Sequence, residues 1–139
     1  MTELALPQID RTTVSKKSLI VSQLKKFTND ENVLSENEEI KPYETDGLAA
    51  YKQTPLAVVL PENTKEVSEI LKFCNEENIK VIPRGAGTGL SGGALPLQDA
   101  ILLGLGKFNK ILEIDFDNKC VVTQPGVTNL GITHAVQHK

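Results

Sequence analysis

Five glycines, Gly85, Gly87, Gly89, Gly92 and Gly93, stand within the eleven residues from Arg84 to Ala94, and no other stretch so restricts what the chain can become. Glycine costs about 0.5–1 kcal/mol relative to alanine wherever regular structure would serve, so such a run belongs to neither a helix nor a strand. A flexible spacer would be uniformly Gly/Ser-rich, whereas Leu90, Ala94, Leu95 and Pro96 are interleaved here. The remaining physical use of so much bare backbone is a concave series of N–H groups, some at positive φ, that an anion can approach without Cβ atoms in the way.

The flanking residues supply a frame for that loop. Leu56-Ala57-Val58-Val59-Leu60, closed by Pro61, reads as a short buried strand. Thr64 is a candidate N-cap for a helix that carries Val67, Ile70, Leu71 and Cys74 on one stripe and stops near Asn78. Lys80-Val81-Ile82-Pro83 is a second strand, so residues 56–83 form a strand-helix-strand unit with parallel strands. Residues 100–105 are a third strand. Residues 111–116 and 119–124 alternate around Asp117-Asn118, which predicts a hairpin with a two-residue turn and a switch from parallel to antiparallel pairing. Ile132, Ala135 and Val136 predict a last helix over residues 129–139. Upstream, residues 1–14 read as a loose leader and residues 15–28 as a helix with Ile20, Leu24 and Phe27 on one face. Residues 29–54, broken by Pro42 and Gly47, read as short turns. The chain thus divides into an N-terminal helical extension, 1–53, and a mixed α+β (α/β) unit, 54–139.

Charge and composition exclude several classes of function. Fifteen Lys and Arg against eighteen Asp and Glu give a net charge of -3. Basic residues cluster in nothing larger than the pairs Lys16-Lys17 and Lys25-Lys26, which argues against a nucleic-acid partner. Cys74 and Cys120 lack CxxC spacing and are expected to be small buried hydrophobes in a reduced, cytoplasmic setting. The longest apolar runs fall far short of the roughly 20 residues needed to cross a bilayer, so no transmembrane segment is expected.

Three named motifs fit the glycine-rich letters. Residues 87–92 satisfy GxGxxG, with Glu113 or Asp115 as the acid further on, and residues 89–93 satisfy GxSxG, with His134 or His138 as a base. Both need a helix directly after the loop, and Gly93, Pro96 and the short run before Ala100 leave no room for one. The Walker spacing fails because Gly93 and Ala94 stand where Lys and Ser/Thr are required. His134 and His138 share a helical spacing but have no third metal ligand near them in sequence, so they are read as surface histidines and no metal is expected. Arg84, at the strand's end, is equally placed to meet a phosphate or to pair with a local carboxylate.

The segment Pro83-Arg84-Gly85-Ala86-Gly87-Thr88-Gly89-Leu90-Ser91-Gly92-Gly93-Ala94-Leu95-Pro96 resembles the FAD-pyrophosphate loop of flavoproteins related to vanillyl-alcohol oxidase and p-cresol methylhydroxylase. More narrowly, it is similar to glycolate oxidase FAD-linked subunits and D-lactate dehydrogenases. Tyr43-Glu44-Thr45-Asp46-Gly47-Leu48 with Tyr51, the strand exit at Pro61, Phe108-Asn109-Lys110-Ile111-Leu112 and Gln124-Pro125-Gly126-Val127 recur in the same order, so the resemblance covers roughly residues 15–139. It implies the first part of a PCMH-type FAD-binding domain, a small parallel sheet with helices joined to an antiparallel sheet, with FAD between them. The cofactor-binding residues it implies are Pro83, Arg84, Gly85, Ala86, Gly87, Thr88, Gly89, Leu90 and Ser91. Their amides from Arg84 onward would cradle the pyrophosphate, Thr88 and Ser91 would add hydroxyls, and Gly126 would pass close to the flavin. Thr88 stands where members with covalently attached flavin carry a histidine, which implies non-covalent FAD.

The activity implied is oxidation of a 2-hydroxy acid such as glycolate or D-lactate to the 2-oxo acid, by hydride transfer to flavin. Other oxidase subunits or an electron acceptor are the further partners implied, with the complete complex peripheral at the inner face of the membrane. The family's second FAD segment, cap domain and catalytic histidines are expected beyond Lys139, so the resemblance implies an N-terminal fragment that is inactive alone. The residues by themselves also allow a stand-alone nucleotide-binding or interaction module without catalysis.

Overall fold

Strand β4 (Ala100–Gly104) is buried at every position, and the fold is organised around it. The computed structural model describes residues 7–138. β4 lies between β2 (Ala57–Val59) and β3 (Lys80–Arg84) and runs parallel to both, with Val58 on one side of Leu102 and Ile82 on the other. Parallel strands covered on both faces need continuous apolar runs rather than alternation, which is how Ala-Val-Val and Ala-Ile-Leu-Leu-Gly read. The expected parallel sheet is therefore present, with the third strand inserted between the first two. A two-residue strand, β1 (Val33–Leu34), pairs antiparallel with β2, giving the order β1-β2-β4-β3. Two residues are too few to show a period, so β1 falls inside the stretch read as turns.

One face of the sheet is covered by helices. α4 (Thr64–Glu76) is capped one residue earlier than expected, by Asn63 rather than Thr64, because the Asn63 side chain accepts from the Glu66 N–H, and it buries Ile70 and Cys74 against Val59, Ile101 and Leu103. Leu71, expected on the same stripe, is instead 43% exposed. It follows Ile70 by one residue, about 100° round the helix, and Phe73 takes the inward position with its ring centroid 5.7 Å from that of Phe27.

The helix expected over 15–28 is two segments, α1 (Arg11–Ser15) and α2 (Lys17–Leu24). Asp10 caps α1 by accepting from the Thr12 N–H, which starts helical structure inside the presumed leader, and Lys16 breaks the run. Residues 1–6 of that leader lie outside the described residues. Ile20, Leu24 and Val33 are buried in the same cluster as Ile70 and Cys74. On the other face Ile40, at the end of α3 (Asn37–Ile40), closes over Val58 and Leu102.

The switch to antiparallel pairing occurs where expected, in a separate two-stranded sheet of β5 (Ile111–Asp115) and β6 (Cys120–Thr123). The expected two-residue turn is a four-residue connection instead. The Asp115 carboxylate accepts from the Asn118 N–H at 2.9 Å and from its Nδ2 at 2.7 Å, and Lys119 takes φ 53° to re-enter the strand. α5 (Asn129–Val136) follows, capped by Thr128, and ends before the expected residue 139, itself outside the described residues. Both cysteines are free. Cys74 is the buried hydrophobe expected, and burial pushes its thiol up to about 11, whereas Cys120 is exposed at the start of β6.

A buried carboxylate ties the N-terminal segment to the sheet. Asp99 is 2% exposed, and its Oδ2 accepts from the Asp10 N–H and from Lys80 Nζ, each at 2.7 Å. Burial pushes its pKa up, but these hydrogen bonds and the Lys80 charge together outweigh that and hold it below the ordinary carboxylate value. Its stabilising effect is thus present above the unfolded-state pKa of about 3.9 and is lost as pH falls through the lower folded value. Asp99→Asn should flatten the acid limb of a stability-pH curve from urea unfolding. By the same assay Ile70→Ala should cost about 2–5 kcal/mol, while Leu71→Ala should stay within about 0.5 kcal/mol.

Candidate functional site

Parallel pairing of β3 with β4 sets their C-terminal ends side by side, Arg84 opposite Gly104, and this edge of an open α/β sheet is where loops gather and ligands bind. The Leu105 N–H donates to the Arg84 carbonyl at 2.8 Å, which extends the register one step past the strands. The hairpin exit is drawn to the same edge because the Gly126 N–H donates to the Phe108 carbonyl at 2.7 Å. The glycine-rich loop leaves β3 here and contains no helix before β4, as its composition requires.

The loop's backbone divides into what it uses inside and what it offers outside. Gly87 and Gly92 have φ of +70° and +75°, the left-handed region that side chains other than glycine rarely adopt. At Gly85, Gly89 and Gly93 a Cβ would meet nothing within 4 Å, so the bare side of these residues faces open space. Among the described residues, no backbone N–H from 85 to 91 donates to a protein acceptor. Thr88, Leu90 and Ser91 are exposed alongside them. A run of backbone N–H groups without protein acceptors, beside a backbone that side chains leave bare, is the kind of arrangement from which anion-binding concavities are built. Beside it lies a recess of about 490 Å3, mostly apolar, lined by Leu48, Tyr51, Ile82, Gly92 and Leu95.

Arg84 is placed differently from the phosphate-facing option. It is 7% exposed, with Nε and Nη2 donating to the Ala94 carbonyl at 3.2 and 2.5 Å and Nη1 donating to the Tyr43 carbonyl at 3.1 Å. Burial lowers the guanidinium pKa from its ordinary value, while the nearby Asp46 charge and then Tyr43 act to raise it. Asp46 is itself buried. Its Oδ1 accepts from the Leu48 N–H at 2.9 Å, and its Oδ2 has no hydrogen-bond partner among the described residues.

The residues that sequence reasoning missed as structural supports lie in this 43–48 segment. Gly47, read as a breaker and as part of the segment that carries the resemblance, lies so close to the loop that a Cβ on it would come within 2.6 Å of the Thr88 carbonyl oxygen and 2.7 Å of that of Gly89. The signal was the glycine itself, but its reason lies 41 residues away in sequence. Gly126 is required by similar crowding, since a Cβ there would come within 2.7 Å of the Phe108 carbonyl oxygen and 2.8 Å of that of Leu105.

The rival readings lose their geometry. Asp115 is engaged in the hairpin connection and Glu113 is exposed on β5. Ser91 sits on irregular backbone rather than at a strand-to-helix turn. His134 and His138 are exposed, and the described residues contain no group of three or more potential metal-binding side chains.

The family described as "FAD binding domain" matches residues 55–139. The chain is 46% identical over 132 residues to the glycolate oxidase subunit GlcD of Escherichia coli K12, an alignment covering 95% of this chain and 25% of that protein. It is 52% identical over 71 residues to a D-lactate dehydrogenase of Archaeoglobus fulgidus, covering 51% of this chain and 16% of that one. Among solved structures, p-cresol methylhydroxylase with substrate bound superposes with a TM-score of 0.77 at 27% identity, covering 97% of this chain and 27% of the other. The chain thus spans about a quarter of the length of the GlcD relative and of this structure.

The two kinds of loop glycine should separate in a stability measurement. Gly87→Val forces a β-branched residue into positive φ and should cost at least about 1–2 kcal/mol. Gly89→Val, with open space and ordinary φ, should stay within about 1 kcal/mol of the parent protein in thermal or urea unfolding.

Proposed function

This chain belongs to the FAD binding domain family, and from that membership we propose that residues 85–91 hold the pyrophosphate of non-covalently bound FAD. The observation that carries the reading is the run of backbone N–H groups from 85 to 91, unpaired with protein acceptors, beside the open faces of Gly85 and Gly89. An extended, doubly charged pyrophosphate needs such donors in series, and no Cβ obstructs its approach at those glycines. Thr88 and Ser91 are exposed next to the same amides and supply hydroxyl donors. Pro83, with no N–H, precedes the run, Leu90 lies within it, and Gly126 would approach the flavin from the hairpin side. The apolar recess beside Gly92 suits an uncharged part of the same ligand.

Bound there, FAD supplies the hydride acceptor for oxidation of a 2-hydroxy acid, of the glycolate or D-lactate type, to the 2-oxo acid. The relatives named as a glycolate oxidase subunit and a D-lactate dehydrogenase support that substrate class. The role of this chain's residues is binding and orientation. Arg84 is a permanent cation whose nitrogens donate to the Ala94 and Tyr43 carbonyls, and Asp46 is buried, so neither is placed to take a proton from a substrate. The general base, the substrate clamp and the second wall of the groove are assigned to polypeptide of the relatives' remaining length. The two free cysteines support a reduced, cytoplasmic setting. No described helix is long and apolar enough to cross a membrane. Other oxidase subunits, or an electron acceptor docked at the inner membrane face, complete the proposed reaction.

The test is flavin titration. In protein extended to the length of the relatives, Gly89→Val should abolish flavin retention while leaving the fold intact, because a side chain there fills the cradle. Ser91→Ala should weaken FAD affinity only about two- to tenfold, the worth of one neutral hydrogen bond at about 0.5–1.5 kcal/mol. A Ser91→Ala protein that binds FAD normally yet has lost all activity would instead point to a nucleophilic serine. The 139-residue chain alone should retain little FAD and turn over no 2-hydroxy acid. Stoichiometric flavin absorbance in that chain would refute the need for a second wall.

A further inference from the structure

We propose that Arg84 is a positioning residue that moulds the glycine-rich loop, and that its guanidinium does not bind the phosphates. The proposal rests on the reading of residues 85–91 as an anion cradle. Three of the side chain's nitrogens are spent on carbonyls within the protein: Nε and Nη2 on Ala94, ten residues on at the far end of the loop, and Nη1 on Tyr43 in the segment beneath it. The side chain therefore joins three points of the backbone: its own at the loop's start, Ala94 at its end, and Tyr43 below.

The loop is shaped around this side chain. Gly87 lies directly over the Arg84 stem, where a Cβ would stand 3.3 Å from Cδ, and its φ of +70° carries the backbone across. The next two residues rest on Gly47, whose missing Cβ lets the Thr88 and Gly89 carbonyls approach. With its carbonyls turned onto Gly47 there, the loop leaves its N–H groups free on the exposed side. Ordering them costs conformational entropy, and a clamp buried within the protein meets that cost before any ligand arrives. Asp46, also buried, acts on the guanidinium electrostatically without a direct ion pair, so the carbonyl bonds remain what fixes the side chain.

A planar fork can bond two carbonyls in different directions at once, whereas lysine offers a single nitrogen. Arg84→Lys retains the charge and loses the clamp, and Arg84→Met loses both. The two roles therefore predict different outcomes for the lysine variant. Gly47→Ala provides an independent variant that leaves Arg84 intact and lifts the loop from its seat.

The experiment is 15N relaxation on the full chain, combined with titration of inorganic pyrophosphate followed at the loop amides. In the parent protein residues 85–94 should show order parameters near about 0.85. In Arg84→Lys, Arg84→Met and Gly47→Ala they should fall toward about 0.6 or below while the β5–β6 hairpin keeps its values. Pyrophosphate affinity should drop by about tenfold and equally in the two Arg84 variants, as expected when the competent loop is populated about a tenth of the time. Unchanged loop order in both Arg84 variants would overturn the proposal. So would lysine preserving affinity that methionine loses, because the charge would then be the ligand. If the loop loosens in the variants but neither the parent chain nor the protein extended to the length of the relatives binds pyrophosphate, the clamp is upheld and the cofactor reading fails.

Discussion

Hydrogen bonding of β4 to parallel strands on both sides is the constraint on which the remaining geometry depends. A strand in that position has no free edge and no wet face, so its residues must be apolar, and Ala100 to Gly104 are all buried. Its register with β3 then places Arg84 beside Gly104, and the chain must turn at that point in both strands. One turn becomes the glycine-rich loop and the other leads to the hairpin, which is why two segments distant in sequence share one edge of the sheet. The loop can be irregular because what lies beneath it is not.

The glycines of this edge do three separate jobs, and letter patterns do not distinguish them. Gly87 and Gly92 are there for backbone angle, while Gly47 and Gly126 are there because other parts of the chain press against them. Gly85, Gly89 and Gly93 have neither reason among the described residues, and it is at these that the proposed ligand would approach. A motif that merges all three kinds fits several unrelated families. The absence of a helix after the loop separates them, because a dinucleotide fingerprint and a nucleophile elbow both need one.

Much of the fold was legible because its signals are local. The β-branched run before Pro61, the apolar stripe of α4 and the alternation around Asp117-Asn118 each act over a few residues, and each produced an element of the expected kind, although the cap of α4 is Asn63 rather than Thr64. What was not legible depended on partners far away. β1 exists because Val33 and Leu34 meet Val59 and Val58, and α1 starts early because Asp10 is fixed by Asp99, 89 residues on. Leu71 was assigned to the core because it is apolar, although its angle on the helix turns it to solvent. At the candidate site the loop was evident, but the orientation of Arg84 was not. Choosing between a phosphate and a local partner required seeing the Tyr43 and Ala94 carbonyls, which no spacing rule brings together.

Among the described residues, β3 is the outermost strand on its side of the sheet. In a parallel ladder the backbone groups of successive residues point alternately to the two sides. Since the Arg84 carbonyl is taken by Leu105 on the β4 side, the backbone of Pro83 faces outward. Proline has no N–H, so the open margin of the sheet lacks a donor next to the glycine-rich loop. A foreign strand attempting to extend the sheet would find a break in the ladder there, and copies of the chain are discouraged from stacking margin to margin beside the glycine-rich loop.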